Sequence, residues 1–356
     1  MIDNDKFFPI RYEKSRHFIP KLQNLCRSLS SKEILSDEFQ EKIHNLLFEE
    51  MALSEQSYPP PVYVSEQSFN LKFSRELNFF WFYNIWYNNG KNIFHFSKEL
   101  LELFENTDVD EIPLEVIQFP FKSFYISFED LDRQFAIDTL GNDYYIDGVL
   151  VVKDFAKENQ IDLFINGYVK STKFSMNWLW NDYASLSGDW FRINYTKDLN
   201  TLKTAGYLSK FLIDNRNEVT EEATKLFFAE VINLVINALC YLSSKQETPI
   251  RKFPKDTPKH LLDKLENAKT RHQKDIILTD IKSKGYSKVN FLGESFKNIV
   301  TQESENGKSI STHWRRGFWR NQAFGEGFKE HILKWIKPTV VNKEKGDSQK
   351  GRIYNV

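Results

Sequence analysis

The sequence predicts an α+β protein with a helical N-terminal region, a central small antiparallel sheet packed on a long core helix, and a basic C-terminal module. Three observations predict it. Apolar residues recur every four positions early in the chain, the period shortens after about residue 110, and basic residues accumulate beyond a proline-bearing stretch at 244–258. The regions are therefore expected at 1–110, 111–245 and 246–342, with a flexible tail over 343–356. With 356 residues, 41% of them hydrophobic, the chain has enough apolar surface for packed cores, which excludes global disorder.

Ser30-Ser31-Lys32-Glu33 reads as a helix start, and Leu35, Phe39, Ile43 and Leu47 follow on one helical face. Pro59-Pro60-Pro61 breaks the chain ahead of a strand-like Val62-Tyr63-Val64. Ser74 to Asn88 reads as a buried helix ended by Asn88-Asn89-Gly90, with its aromatic run making the assignment ambiguous. Ser97 to Glu105 is a short helix with Ser97 as its cap. From Glu111 to Trp180, short β-branched and aromatic segments alternate with Asp/Asn/Gly turns. Gly141-Asn142-Asp143 is expected to be a hairpin turn there. Glu221 to Ser243 is apolar on most sides and reads as the core helix. After the linker, Lys259 to Lys284 has helical spacing, Glu303 to Ser311 is loop-like, and the residues from Lys343 are tail-like.

The most apolar stretch, Leu226 to Leu242, carries Glu230, Asn233 and Asn237, whereas a spanning helix needs about 20 nearly uncharged residues. No membrane partner is expected. The N-terminus lacks a basic leader and a long apolar run, and Cys26 and Cys240 are too few for a disulfide framework, so a reducing cytoplasm fits. The net charge of −1 hides a split. Residues 251–356 hold 23 Lys+Arg against 12 Asp+Glu, and residues 1–250 hold 25 against 37. The basic end either meets an acidic partner such as nucleic acid or docks on its own acidic body.

Enzyme signatures are scarce. There is no Walker A loop, HExxH, GxSxG or CxxC, and the seven histidines are scattered. No catalytic residue, metal site or cofactor is assigned. Asp147 followed by Val152-Lys153 echoes the acidic-then-lysine arrangement of some nucleases, a pattern that ordinary strands also carry. The concentrated signal lies at 312–342, where His313 to Asn321 packs one His, two Trp, three Arg and one Phe around Gly317. Arginine forks clamp phosphates or carboxylates, and indoles stack on bases. His313, Trp314, Arg315, Arg316, Trp319, Arg320 and Trp335 are the candidate partner- or nucleic-acid-binding residues. The competing reading makes the tryptophans core and the arginines their struts.

Arg315-Arg316-Gly317, Trp319, Gly325, Trp335, Pro338, Val341 and Asn342 together resemble the C-terminal signature of an anti-CRISPR family. That family includes the type V-A inhibitor that lowers production of its target nuclease. Fainter similarities lie at Leu239 to Leu242, Val289 to Phe296, Phe119 to Ile126, and Trp86 with Asn88. Phe318 stands where the family has His, which argues against acid–base chemistry at that position. The resemblance implies a binding protein of a phage or plasmid, working in the bacterial cytoplasm. It further implies recognition of a nascent peptide on the ribosome, with degradation of the encoding mRNA. The implied partners are a nascent peptide or CRISPR effector and RNA or the ribosome. A nucleic-acid-binding protein or metal-dependent nuclease of a mobile element stays open as the alternative, and nothing in the sequence sets the oligomeric state.

Overall fold

A computed structural model describes residues 7–13, 20–26, 29, 31–34, 36–56, 77, 80–109, 117–128, 131, 134–137, 143–153, 160–170, 177–187, 203–204, 221–255, 257–284, 286–296 and 313–341. The class is α+β, as the sequence predicts. Helices at Phe8–Glu13, Pro20–Cys26, Ser31–Ile34 and Asp37–Gln56 open the chain. Ile43 and Leu47 face inward with Leu22, Cys26, Ile34, Phe80 and Trp81, and Phe39 lies against Trp81 at 6.3 Å between ring centroids. The single helix expected from Ser30 is broken before Asp37, where the Ser36 hydroxyl donates to the Glu33 carbonyl at 2.8 Å. Ser30, Leu35, the triple proline and Val62-Tyr63-Val64 lie outside the described residues.

The aromatic run is helical over 80–88. Its residues divide between two cores. Phe80 and Trp81 join the small N-terminal cluster, while Phe82, Tyr83, Ile85 and Trp86 pack on the main sheet. Aromatic residues dominate this run, and Asn84 and Asn88, one turn apart, are the only polar positions that mark its helical period, which is why the sequence left the assignment ambiguous.

The strands of the body are β1 (Ile93–Phe96), β2 (Thr107–Asp108), β3 (Ser123–Ser127), β4 (Gln134–Ile137), β5 (Asp143–Lys153), β6 (Gln160–Lys170), β7 (Asn177–Ser187), β8 (Lys203–Thr204), β9 (Ile250–Lys252) and β10 (Val289–Leu292). Nine of them, all but β2, make one mixed sheet in the order β8-β7-β6-β5-β3-β1-β10-β9, with β4 also paired to β5. The sheet is larger than the small antiparallel one expected, and β1 runs parallel to both β3 and β10. Hairpin signals are local, whereas Ile93 pairs with Val289 across most of the chain, a contact no turn announces. Residues β4 and β5 pair antiparallel as a hairpin requires, although Gly141 and Asn142 lie outside the described residues.

Side chains alternate across this sheet and give it two covered faces. Phe94, Phe96, Phe124, Ile126, Val149, Val151, Leu163 and Ile165 face the core helix Glu221–Ser244. On the other side, Ile93, Tyr125, Leu150, Val152 and Phe164 face Phe7, Phe8, Tyr12 and the 80–88 helix. The core helix is buried continuously from Val231 to Tyr241 except for Asn233. That agrees with its all-round apolar pattern. Part of the expected linker is strand β9, which extends the sheet beside β10. The predicted helix over 259–284 is two helices, Lys259–Asn267 and Arg271–Ser283, and Thr270 Oγ1 accepts from Gln273 N at 3.1 Å at the second start. The segment 303–311 and the tail lie outside the described residues.

The first helix is tied to the sheet by ions. Lys91 Nζ reaches Glu13 Oε1 at 2.6 Å, and Arg11 pairs with Asp147 on β5. Asp147 is 2% exposed, and burial pushes its carboxyl up to about 6 although the Arg11 guanidinium pulls it down. Because the folded pKa lies above the unfolded value, the folded state holds its proton more tightly. The resulting stability is present below about pH 4 and is lost as pH rises through about 6. Urea unfolding of wild type and Asp147→Asn at intervals from pH 4 to 7 tests this. The wild type should lose stability relative to the variant across that window, and a pH-independent difference counts against it.

Candidate functional site

The C-terminal strands are β11 (His313–Arg315), β12 (Gly317–Phe324), β13 (Glu330–Ile336) and β14 (Thr339–Val341). Strands β12 and β13 form an antiparallel hairpin in which Trp319 lies opposite Trp335 and Arg320 opposite Lys334. The turn passes through Gly325 at φ +78°, a left-handed conformation that favours glycine. Strand β11 pairs with β14, and β12 runs parallel to β2, with Gly317 N donating to Asn106 O at 2.8 Å. Gly317 is small by necessity. A Cβ there would sit 2.6 Å from the Pro338 ring and 2.7 Å from the Ile336 carbonyl.

At its docked end the hairpin alternates between a buried face and an exposed one, and toward the turn both faces open to solvent. Trp319, Leu333 and Trp335 are 7%, 6% and 5% exposed and belong to the main core. The two indoles stack at 5.6 Å with 13° between their planes. Their N–H groups, which cannot be left unpaired when buried, each find a partner in the body. Trp319 Nε1 donates to Asn237 Oδ1 at 2.7 Å, and Trp335 Nε1 donates to Thr107 Oγ1 at 3.2 Å. Asn237 is fully buried in the core helix, and its Nδ2 lies within hydrogen-bond distance of the Phe104 and Thr107 carbonyls at 3.2 and 3.1 Å. Trp335 also meets Phe104, Tyr241 and Phe296, and Lys337 Nζ lies 4.5 Å from the Phe296 ring centre. Beneath this cluster, burial pushes the Cys240 thiol well up, so it stays protonated. Tyr241 donates to Glu247 Oε2 at 2.9 Å, and burial together with that carboxylate pushes its hydroxyl up as well.

Of the residues the sequence nominates, the structure thus places Trp319 and Trp335 inward as anchors, where they cannot stack on a base. Arg315, Arg316 and Arg320 are exposed. Arg316 Nη1 contacts Asp108 Oδ1 at 2.6 Å, an ion pair with side chains 61% and 36% exposed, which contributes about 0–1 kcal/mol. His313 and Trp314 have their backbone in β11, and their side chains lie outside what is described. Sequence reasoning missed Asn237, Thr107 and Asn106 as the hairpin's receptors. Asparagines at 233 and 237, one turn apart in an otherwise apolar helix, were the available signal. It also missed the exposed face with Phe318, Phe324, Ile332 and Lys334, because the Phe-Trp-Arg-Asn-Gln-Ala-Phe order carries no clean apolar and polar alternation to assign its faces.

The nuclease-like echo at Asp147 and Lys153 is taken up otherwise. Asp147 is held by Arg11, and Lys153 Nζ lies 5.3 Å from the Phe119 ring centre. Among the described residues no group of three or more His, Cys, Asp or Glu is placed to hold a metal ion. None of the described helices is long and apolar enough to cross a membrane. A shallow groove of about 350 Å³ lies on the N-terminal helices, lined by Asp37, Gln40, Glu41, His44, Leu77 and Trp81.

The sequence model of the anti-CRISPR type V subtype A2 family, AcrVA2-like, matches residues 94–343. That span runs from β1 through the core helix to the end of the hairpin module. The crystal structure of AcrVA2 aligns at 12% identity over 94% of this chain and 97% of its own, with a TM-score of 0.39, too low to bear on function. No curated protein matches the sequence significantly.

The buried and exposed halves of the hairpin respond differently to truncation. Trp335→Ala should cost about 3–5 kcal/mol, as large aromatics do when removed from a core. Arg315→Ala combined with Arg316→Ala should change stability by no more than about 1 kcal/mol. Thermal melts of the variants decide. A double-arginine variant as damaged as Trp335→Ala would make the arginines struts.

Proposed function

The chain belongs to the AcrVA2-like anti-CRISPR family, and we propose that it counters a CRISPR effector by lowering that effector's production in the bacterial cytoplasm. In this reading it recognises the effector's nascent peptide on the ribosome, and the encoding mRNA is degraded. The observation that carries the proposal is the coincidence of the matched span with the docked hairpin and its receptor helix. The matched positions that the structure explains, Gly317, Trp319, Trp335 and Pro338, all serve to seat that hairpin. A docked hairpin that leaves Arg315, Arg320 and Lys334 in solvent suits a protein that works beside RNA.

The N-terminal groove is the place this reading assigns to the peptide. Leu77 and the nearly buried Trp81 line it together with Asp37, Gln40, Glu41 and His44. That combination favours a peptide with both basic and apolar side chains. The groove lies before residue 94, outside the matched span, which fits relatives that share a scaffold and differ in target.

The test co-expresses the chain with a type V-A effector and follows effector protein and mRNA. Two altered messages are included, one recoded synonymously and one frameshifted early so that its nucleotides persist while its peptide changes. The expected result is loss of wild-type and recoded mRNA and survival of the frameshifted one. Full effector protein levels with lost effector activity would contradict the proposal and indicate direct inhibition.

A further inference from the structure

We propose that the outward face of the β12–β13 hairpin is a platform for single-stranded RNA, a refinement that rests on the reading that this protein works beside mRNA. Eight large hydrophobic side chains are exposed among the described residues, and Phe318, Phe324, Phe328 and Ile332, four of them, lie on this one hairpin. The register sets the outer face row by row. Phe318 faces Ile336, Arg320 faces Lys334, Gln322 faces Ile332, and Phe324 faces Glu330. Phe318 and Phe324 stand six positions apart on one strand, about 20 Å along it, with the cation pair between them.

That cation pair points to an anion. Like charges placed directly across a strand pair destabilise it. Arg320 and Lys334 are both exposed, and neither forms an ion pair with a carboxylate among the described residues. An anionic ligand between them turns the repulsion into attraction. The rings on either side narrow the choice of anion. Each nucleotide carries a phosphate and a flat base together, and rings interleaved with cations are how sequence-tolerant single-strand surfaces work. An acidic peptide satisfies the cations and leaves the ring faces without planar partners. Duplex RNA hides its base faces in the stack. Glu330, beside Phe324, marks the end of the platform toward the turn.

The aromatic contribution therefore comes from phenylalanines the sequence signature passes over, because the tryptophans face inward. Phe318, in the position where the family's signature has another residue, closes the end of this surface away from the turn and is 49% exposed. The surface is specific to how this chain fills the outer face.

Fluorescence anisotropy with a labelled uridine oligomer of about 12 nucleotides, within the usual range of single-strand site sizes, tests the platform on the full chain. Phe318→Ala combined with Phe324→Ala should weaken binding about tenfold or more. Arg320→Ala combined with Lys334→Ala should lower the slope of log affinity against log salt by about 1.4, two phosphates at about 0.7 each. Both double variants should melt within a few degrees of wild type, because all four side chains are exposed. Lys264→Ala with Lys274→Ala, exposed on the two helices after β9, is the control and should leave affinity unchanged. Unchanged RNA affinity in both hairpin variants, or equal loss in the control, overturns the platform. Binding of polyglutamate in place of RNA overturns it too and makes the face a protein-docking surface. If target mRNA still falls while the chain binds no RNA, the platform alone fails. If RNA binds while target mRNA persists, the proposed function alone fails.

Discussion

Asn237 sits fully buried in the middle of the core helix, where an unpaired carboxamide would cost about 1–3 kcal/mol for each group left unsatisfied. Its oxygen accepts from Trp319, and its nitrogen meets the carbonyls of Phe104 and Thr107. One side chain thereby ties together the core helix, the turn after helix Lys98–Glu105, and the C-terminal hairpin. The parallel pairing of β12 with β2 depends on that turn being held, because Thr107 is both a strand partner of Gly317 and the acceptor for Trp335. A hydrophobic residue at 237 would pack well in the helix and leave the Trp319 N–H without a partner. The basic end of the chain is therefore a docked part of the body, and the direction in which its outer face points is fixed.

This arrangement combines the two readings of the charge split. The hairpin does rest on its own body, through indoles, the pairing of β12 with β2 and, among the described residues, the exposed ion pair of Arg316 with Asp108. Docking uses its inner side, and Arg315, Arg320 and Lys334 stay in solvent. Alternation along a strand makes this possible, since residues i and i+2 share a face and their neighbours take the other. A helix carrying the same residues would have mixed anchors and cations around its circumference.

The α+β class, the buried core helix and the capped helix at Ser97 were legible because each rests on local signals. Ser97 Oγ accepts from Leu100 N at 3.3 Å, as a cap should. The parallel neighbours of β1 were not legible, since pairing Ile93 with Val289 is a tertiary event. Strand β9 was hidden in a polar, proline-bearing stretch because its residues are exposed at the edge of the sheet. In the C-terminal segment, the signature's tryptophans and arginines were assigned to one surface, and the structure divides them between two. The tryptophans turned inward because Asn237 and Thr107 offer acceptors there, and a sequence motif carries no record of such distant partners.

The seating of the hairpin depends on the Asn237–Trp319 contact, and a double-mutant cycle measures it. Trp319→Phe keeps a ring and removes the donor, and Asn237→Ala removes the acceptor. Chemical denaturation of wild type, both single variants and the double variant gives the coupling. A coupling of about 0.5–3 kcal/mol is predicted, with the double variant less damaged than the sum of the singles. Additivity to within about 0.3 kcal/mol would contradict the account, because the hairpin would then be held in place without this hydrogen bond.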